Sequence, residues 1–146
     1  MLKLRNNKGF TLIELLVVIG ILAVLLAITL IAVNPGQQLQ QADDTKRRSD
    51  INAILNAVNQ YMVANNGQVP AGIGATATPI ANTGADLCTI LVPDYIAAMP
   101  QDPASNAGAD ITSCALYDTG YEASAANNRV TIYAPDANGG TIQVTR

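Results

Sequence analysis

From Leu15 to Val33 the chain reads LLVVIGILAVLLAITLIAV, nineteen residues without a charge. As an α-helix this run is about 28 Å long, close to the hydrocarbon thickness of a bilayer, so it reads as a membrane-spanning segment. Its N-terminal position and the preceding Lys3, Arg5 and Lys8 also suit a secretory signal peptide. The apolar region of such peptides is usually about 7 to 15 residues long, and cleavage behind the run is therefore not expected. Three positive charges before it and mixed charges beyond Pro35 orient the N-terminus toward the cytoplasm. The bulk of the chain is expected to be extracytoplasmic.

Only 13% of the residues are charged while 49% are hydrophobic. About a quarter charged is usual for a globular domain, so the apolar residues are gathered into one segment rather than spread through a core. Histidine is absent, which removes His-ligated zinc, the Ser-His-Asp and Cys-His nucleophile systems and any imidazole acid or base. Residues 1–9 carry three basic groups and no acid; without them five basic residues face eleven acids, and the net charge moves from -3 to -6. The single basic cluster, Lys46, Arg47 and Arg48, is flanked by Asp43, Asp44 and Asp50, so no nucleic-acid footprint is evident.

Asn34-Pro35-Gly36 breaks the apolar helix, yet Ile51, Ile54, Leu55, Val58, Tyr61 and Met62 recur at the spacing of one buried helical face. A second helical stretch is predicted from about Gln37 to Ala64, ended by Asn65-Asn66-Gly67. Asp43 with Arg47 and Asp44 with Arg48 are acid-before-base pairs at i, i+4, and the charge band reads as a solvated helix face or as a contact between subunits. The uncharged stretch 67–85 reads as a long surface loop, and its Gly72-x-Gly74 lacks the rest of a dinucleotide fingerprint. A short helix is expected over Ala85 to Val92, with Leu87, Ile90 and Leu91 inward, stopped by Pro93. Alternation at Val130, Ile132, Ala134 and at Ile142, Val144, with turns at Asn127-Asn128 and Asn138-Gly139-Gly140, predicts a small antiparallel sheet that includes Tyr121 to Ala125. Such a sheet needs a cover, and the stripe from Ile51 to Met62 is the candidate.

Cys88 and Cys114 lie on the extracytoplasmic side of the proposed span, where oxidising conditions favour a disulfide. Closing that loop would contribute about 3 kcal/mol in the chain-entropy model. The alternative is two buried thiols. Asp86, Asp94, Asp102, Asp110 and Asp118 recur every eight residues without repeating neighbours and read as solvated loop acids. No cofactor is expected. Calcium on some of Asp102, Asp110 and Asp118 is the one candidate, because hard oxygen ligands suit that ion, although no EF-hand pattern accompanies them.

The stretch Lys8-Gly9-Phe10-Thr11-Leu12-Ile13-Glu14-Leu15-Leu16, followed by the apolar run, resembles the class III signal of type IV pilins and type II secretion pseudopilins. More weakly, Asn66-Gly67, Leu91-Val92-Pro93-Asp94-Tyr95-Ile96 and Pro100-Gln101-Asp102-Pro103 look like the major pseudopilin pattern. The resemblance implies removal of residues 1–9 by a membrane prepilin peptidase between Gly9 and Phe10 and N-methylation of Phe10. It further implies helical assembly of mature subunits on an inner-membrane platform. Glu14 is the single charge between Lys8 and Asp43, and a carboxylate in an apolar span normally has a partner. The resemblance implies that the new α-amino group of Phe10 on an adjacent subunit is that partner after cleavage; the alternative is a Glu14 that snorkels to the cytoplasmic interface. Unlike many type IV pilins, the chain has no Pro inside the apolar run; the first is Pro35.

The chain is accordingly expected to be an α+β, pilin-like protein, with a leader at 1–9, a transmembrane and assembly helix at 10–33, the periplasmic half of the long helix at 34–64 and a small domain at 65–146. The expected function is a structural filament subunit, lodged in lipid before assembly and not an enzyme. A permanently anchored extracytoplasmic binding protein that does not polymerise is the alternative, separable by the mass of the mature form. A tethered enzyme would have to rely on Asp carboxylates, since Glu122 is the only Glu beyond Glu14.

Overall fold

A computed structural model describes residues 9–146; Lys3, Arg5, Lys8 and nearly all of the expected leader lie outside them. The chain forms two compact units, one ending at Leu39 and one comprising Gln40–Arg146. In the first, the uncharged run folds into α1 (Leu12–Val33), none of whose residues is buried. By length and composition α1 can cross a membrane. Asn34 ends it in the left-handed conformation (φ 44°), a role Asn tolerates well. Pro35 then opens α2 (Pro35–Ala64) at the first helical position, where its missing N–H leaves no bond unmade. The breaker triplet of the sequence is thus a junction between two helices, with α2 starting two residues earlier than the apolar periodicity indicated. At its far end Gly67, at φ 81°, donates its N–H to Met62 O at 2.7 Å, closing the helix as Asn65-Asn66-Gly67 suggested.

The second unit is α2 against a four-stranded antiparallel sheet of β1 (Thr78–Ala81), β2 (Asp118–Ala126), β3 (Arg129–Ala134) and β4 (Ile142–Thr145), ordered as in sequence. Ile51, Ile54, Leu55 and Val58 of α2 are buried in one core with Ile80, Tyr121, Ala123, Val130, Ile132, Ala134 and Ile142. The alternation predicted for the last two strands is therefore observed. Asn127 and Asn128, both at positive φ, make the tight β2–β3 turn that such residues favour.

Three expectations change. β1 lies inside the stretch read as loop: Pro79 interrupts its pattern, but an edge strand tolerates proline, and Ile80 and Ala81 carry its burial. The short helix shrinks to a single turn, α3 (Cys88–Leu91), with Leu87 and Leu91 buried and Ile90 only partly so. The charge band of α2 is not a solvated face. The apolar stripe continues upstream through Asp50 and Arg47, which are 8% and 3% exposed.

The pairing on that face differs from the i, i+4 reading. Arg47 donates from Nε and Nη2 to the two carboxylate oxygens of Asp102 at 2.7 and 2.9 Å, and from Nη1 to Asp44 at 2.9 Å. Lys46 pairs with Asp50 at 2.7 Å, whose same oxygen accepts the Tyr121 hydroxyl at 2.8 Å. Asp43 and Arg48 make no ion pair among the described residues. Asp102 sits in the irregular segment between α3 and β2 that contains Pro93, Pro100 and Pro103, fixed further by its N–H to Thr119 O at 2.8 Å. Gly120 faces it at φ 76°, where a Cβ would come within 2.9 Å of Asp102 Cβ. The pair thus clamps α2 to the segment before β2, and the sheet is cut to fit it.

Burial alone would raise the Asp102 carboxyl, but Arg47 and the Ala104 N–H hold it below the usual value. A depressed carboxyl contributes stability that is fully present above its unfolded value of about 4 and is lost as pH falls through the folded value. Urea unfolding should therefore show Asp102→Asn less stable than the parent at neutral pH and with a shallower decline in acid. Asp102→Ala leaves the guanidinium buried and should cost about 3 to 5 kcal/mol, whereas Arg47→Met with Asp102→Leu should cost much less than the sum of the single changes.

Candidate functional site

The residues that carried the sequence resemblance lie at the start of α1. Thr11 is the N-cap in extended conformation (φ -81°, ψ 152°). Its hydroxyl oxygen accepts the Glu14 N–H at 3.3 Å. In return one Glu14 carboxylate oxygen accepts the Thr11 N–H at 2.8 Å and the Thr11 hydroxyl at 2.7 Å. This is a capping box, in which two orphan donors of the first turn are satisfied reciprocally. Glu14 is thus not without a partner in its own segment, as its isolation among apolar residues implied. Its negative charge also lies at the positive end of the helix dipole. The signal was present in the sequence as Thr11-Leu12-Ile13-Glu14, a Thr and a Glu three apart ahead of an apolar run.

The capping box has a steric consequence. It fixes the Glu14 carboxylate against the first turn and leaves Phe10 just ahead of it, 85% exposed. Leu12, Ile13, Leu16 and the rest of α1 are exposed as well. The Glu14 negative charge faces no cation among the described residues. A Cβ placed on Gly9 would meet nothing within 4 Å among the described residues, and the peptide bond joining Gly9 to Phe10 precedes α1.

Elsewhere the candidates separate. Cys88 and Cys114 form a disulfide with Cα atoms 5.4 Å apart, which ties α3 to the segment leading into β2. The Cys88 N–H donates to the Tyr117 hydroxyl oxygen at 3.1 Å, and that hydroxyl donates to Asp86 at 2.9 Å. Burial foremost, with the Asp86 charge, pushes the Tyr117 hydroxyl up to about 12. Of the acids considered for calcium, Asp102 is taken up by Arg47, while Asp118 Oδ1 accepts the Gly120 N–H at 2.9 Å. Among the described residues no three His, Cys, Asp or Glu side chains gather into a group that could hold a metal ion.

Comparison with known proteins bears on the same two regions. Residues 4–30 match the model of the prokaryotic N-terminal methylation motif. Over 103 residues the chain is 36% identical to the type II secretion system core protein G of Aeromonas hydrophila, covering 70% of this chain and 71% of that protein. Over 106 residues it is 31% identical to the protein of the same name from Vibrio cholerae, covering 73% and 71% respectively. No solved structure matches it. With the apolar helix α1, the second helix and the four-stranded sheet in sequence, this similarity places the chain in the family of the type II secretion core protein G, the pseudopilins.

Proposed function

We propose that the chain is the structural subunit of a type II secretion pseudopilus or a related type IV pilus-like filament. The observation that carries this reading is α1: twenty-two residues, none buried, most of them within residues 4–30, which match the methylation motif. An apolar surface of that size needs a cover. Lipid supplies it first and other copies of the helix replace it in the filament, where close packing takes the place of acyl chains. The N-terminus faces the cytoplasm and the Gln40–Arg146 unit lies outside, an orientation supported by the basic residues ahead of the span and by the Cys88–Cys114 disulfide.

In this reading a membrane prepilin peptidase cuts between Gly9 and Phe10 and a methyl group is added to the new α-amino nitrogen. Cleavage removes the three basic side chains of the leader and places an α-ammonium at Phe10, beside a Glu14 carboxylate already held in place by Thr11. A neighbouring subunit's Phe10 ammonium then docks against Glu14, and at low dielectric that pairing is strong. Proteolysis and docking are coupled because the cation does not exist before the cut. An assembly platform in the inner membrane draws subunits from the lipid into the filament.

Two measurements check this. Mass spectrometry of protein from cells with an active prepilin peptidase should find a chain that begins at methylated Phe10 and retains Leu15 to Val33; an uncut Met1 form, or one starting beyond Val33, would contradict the reading. Glu14→Gln retains a hydrogen-bond acceptor for Thr11 and deletes the charge, while Glu14→Ala loses both. Both variants should insert and be cut, with membrane abundance unchanged and sheared filament reduced about tenfold or more, a loss that about 1.4 kcal/mol in the docking equilibrium, tenfold in its constant, would suffice to produce. Parental filament yields for both would remove the docking role.

A further inference from the structure

The β3–β4 connection contains a chemical feature that the filament reading does not use. Ala137–Gly140 forms a turn closed by the Gly140 N–H to Ala137 O at 3.2 Å, with Asn138 and Gly139 at its centre. From this turn Asn138 reaches α2 three times. Its backbone N–H donates to Asp44 Oδ1 at 3.1 Å, and its side-chain Nδ2 donates to the same oxygen at 3.2 Å and to Gln40 O at 3.3 Å. These are long, exposed bonds, yet they join the turn to the residue that also engages Arg47.

We propose that Asn138-Gly139 is a site of spontaneous deamidation, and that the carboxylate produced there releases the β3–β4 turn from α2. The Gly139 nitrogen, after losing its proton to solvent base, attacks Asn138 Cγ. A C–N bond forms, the Cγ–Nδ2 bond breaks, and Nδ2 leaves as ammonia with the proton returned from solvent. Water then opens the cyclic imide at either carbonyl to give aspartate or isoaspartate. The net reaction consumes one water and releases one ammonia, with no change of oxidation state.

The local geometry selects this asparagine. Asn138 and Gly139 are both exposed, the Gly139 N–H makes no hydrogen bond among the described residues, and nothing stands within 4 Å of the place a Cβ would occupy. The chain holds a second Asn-Gly pair as an internal control. At Asn66-Gly67 the nucleophilic nitrogen is already committed, donating to Met62 O at 2.7 Å, and both residues are fixed in the left-handed conformation at φ 55° and 81°. Attack there requires the end of α2 to open first.

The product reverses the logic of the contact. Nδ2 is a donor facing two acceptors, Asp44 Oδ1 and Gln40 O; a carboxylate oxygen in its place faces the same two acceptors and adds a like charge beside Asp44. Two hydrogen bonds are lost and a repulsion is gained.

The full chain in detergent is incubated in mildly alkaline buffer and mapped by mass spectrometry, following the gain of about one dalton that marks amide-to-acid conversion. The Asn138 peptide should convert at least about tenfold faster than the Asn66 peptide. Gly139→Ala should slow it by roughly tenfold, since a Cβ shields the nitrogen and removes the freedom peculiar to glycine. Equal rates at the two sites, faster conversion at Asn66, or no effect of Gly139→Ala would overturn the assignment. The second arm compares thermal unfolding of Asn138→Asp and Asn138→Ala, both of which lack the side-chain donor. Asn138→Asp should melt lower by a few degrees, and the gap should close in molar salt, where exposed charges are screened. Identical midpoints at low salt would show that the new charge releases nothing.

Discussion

The structure depends on one unmet requirement: α1 is apolar along nearly its whole length, and none of its residues is buried among the described residues. A helix that is apolar all round has to be buried in something, whether lipid or protein. The distribution of charge in the rest of the chain follows from this. No basic residue stands between Lys8 and Lys46 and no acid between Glu14 and Asp43, so the span carries no group that would resist either cover. Glu14 sits at the rim, where its carboxylate serves the first turn of the helix.

The Gln40–Arg146 unit answers a different problem. With few aromatic residues it cannot rely on a large core. Instead the buried face of α2 is apolar where it meets the sheet and ionic where it meets the crossing segment. The Arg47–Asp102 pair satisfies both oxygens of a fully buried carboxylate. The Tyr121 hydroxyl, whose ionisation burial and Asp50 push well above the usual tyrosine value, joins the sheet to the same face. A buried pair of this kind adds little net stability compared with apolar residues of the same shape, but it penalises any other register of helix on loop. The disulfide between Cys88 and Cys114 closes the remaining irregular stretch.

The parts legible in sequence were those with strong periodicity. The uncharged run, the apolar stripe from Ile51 to Met62 and the alternation of β3 and β4 each report burial directly. β1 was hidden because four residues containing a proline show no usable alternation, and only the lone Ile80 between Ile73 and Leu87 hinted at it. The ionic face of α2 is not legible in the sequence, because local pairing rules rank partners three or four residues away, whereas Arg47 finds its main partner 55 residues on. At the candidate site the Thr11–Glu14 capping box is legible as a Thr and a Glu three residues apart ahead of an apolar run, although an isolated carboxylate in an apolar span points first to a missing cation.

The proposed function turns on α1 exchanging a lipid cover for copies of itself, and this can be measured on the helix directly. A photo-crosslinking residue in place of Leu22, in the middle of α1, reports whatever lies against it. In membranes of cells lacking the assembly machinery it should capture lipid, and in sheared filaments it should capture a second copy of the chain through that copy's own α1. Filaments whose Leu22 position captures no neighbouring subunit would contradict the exchange.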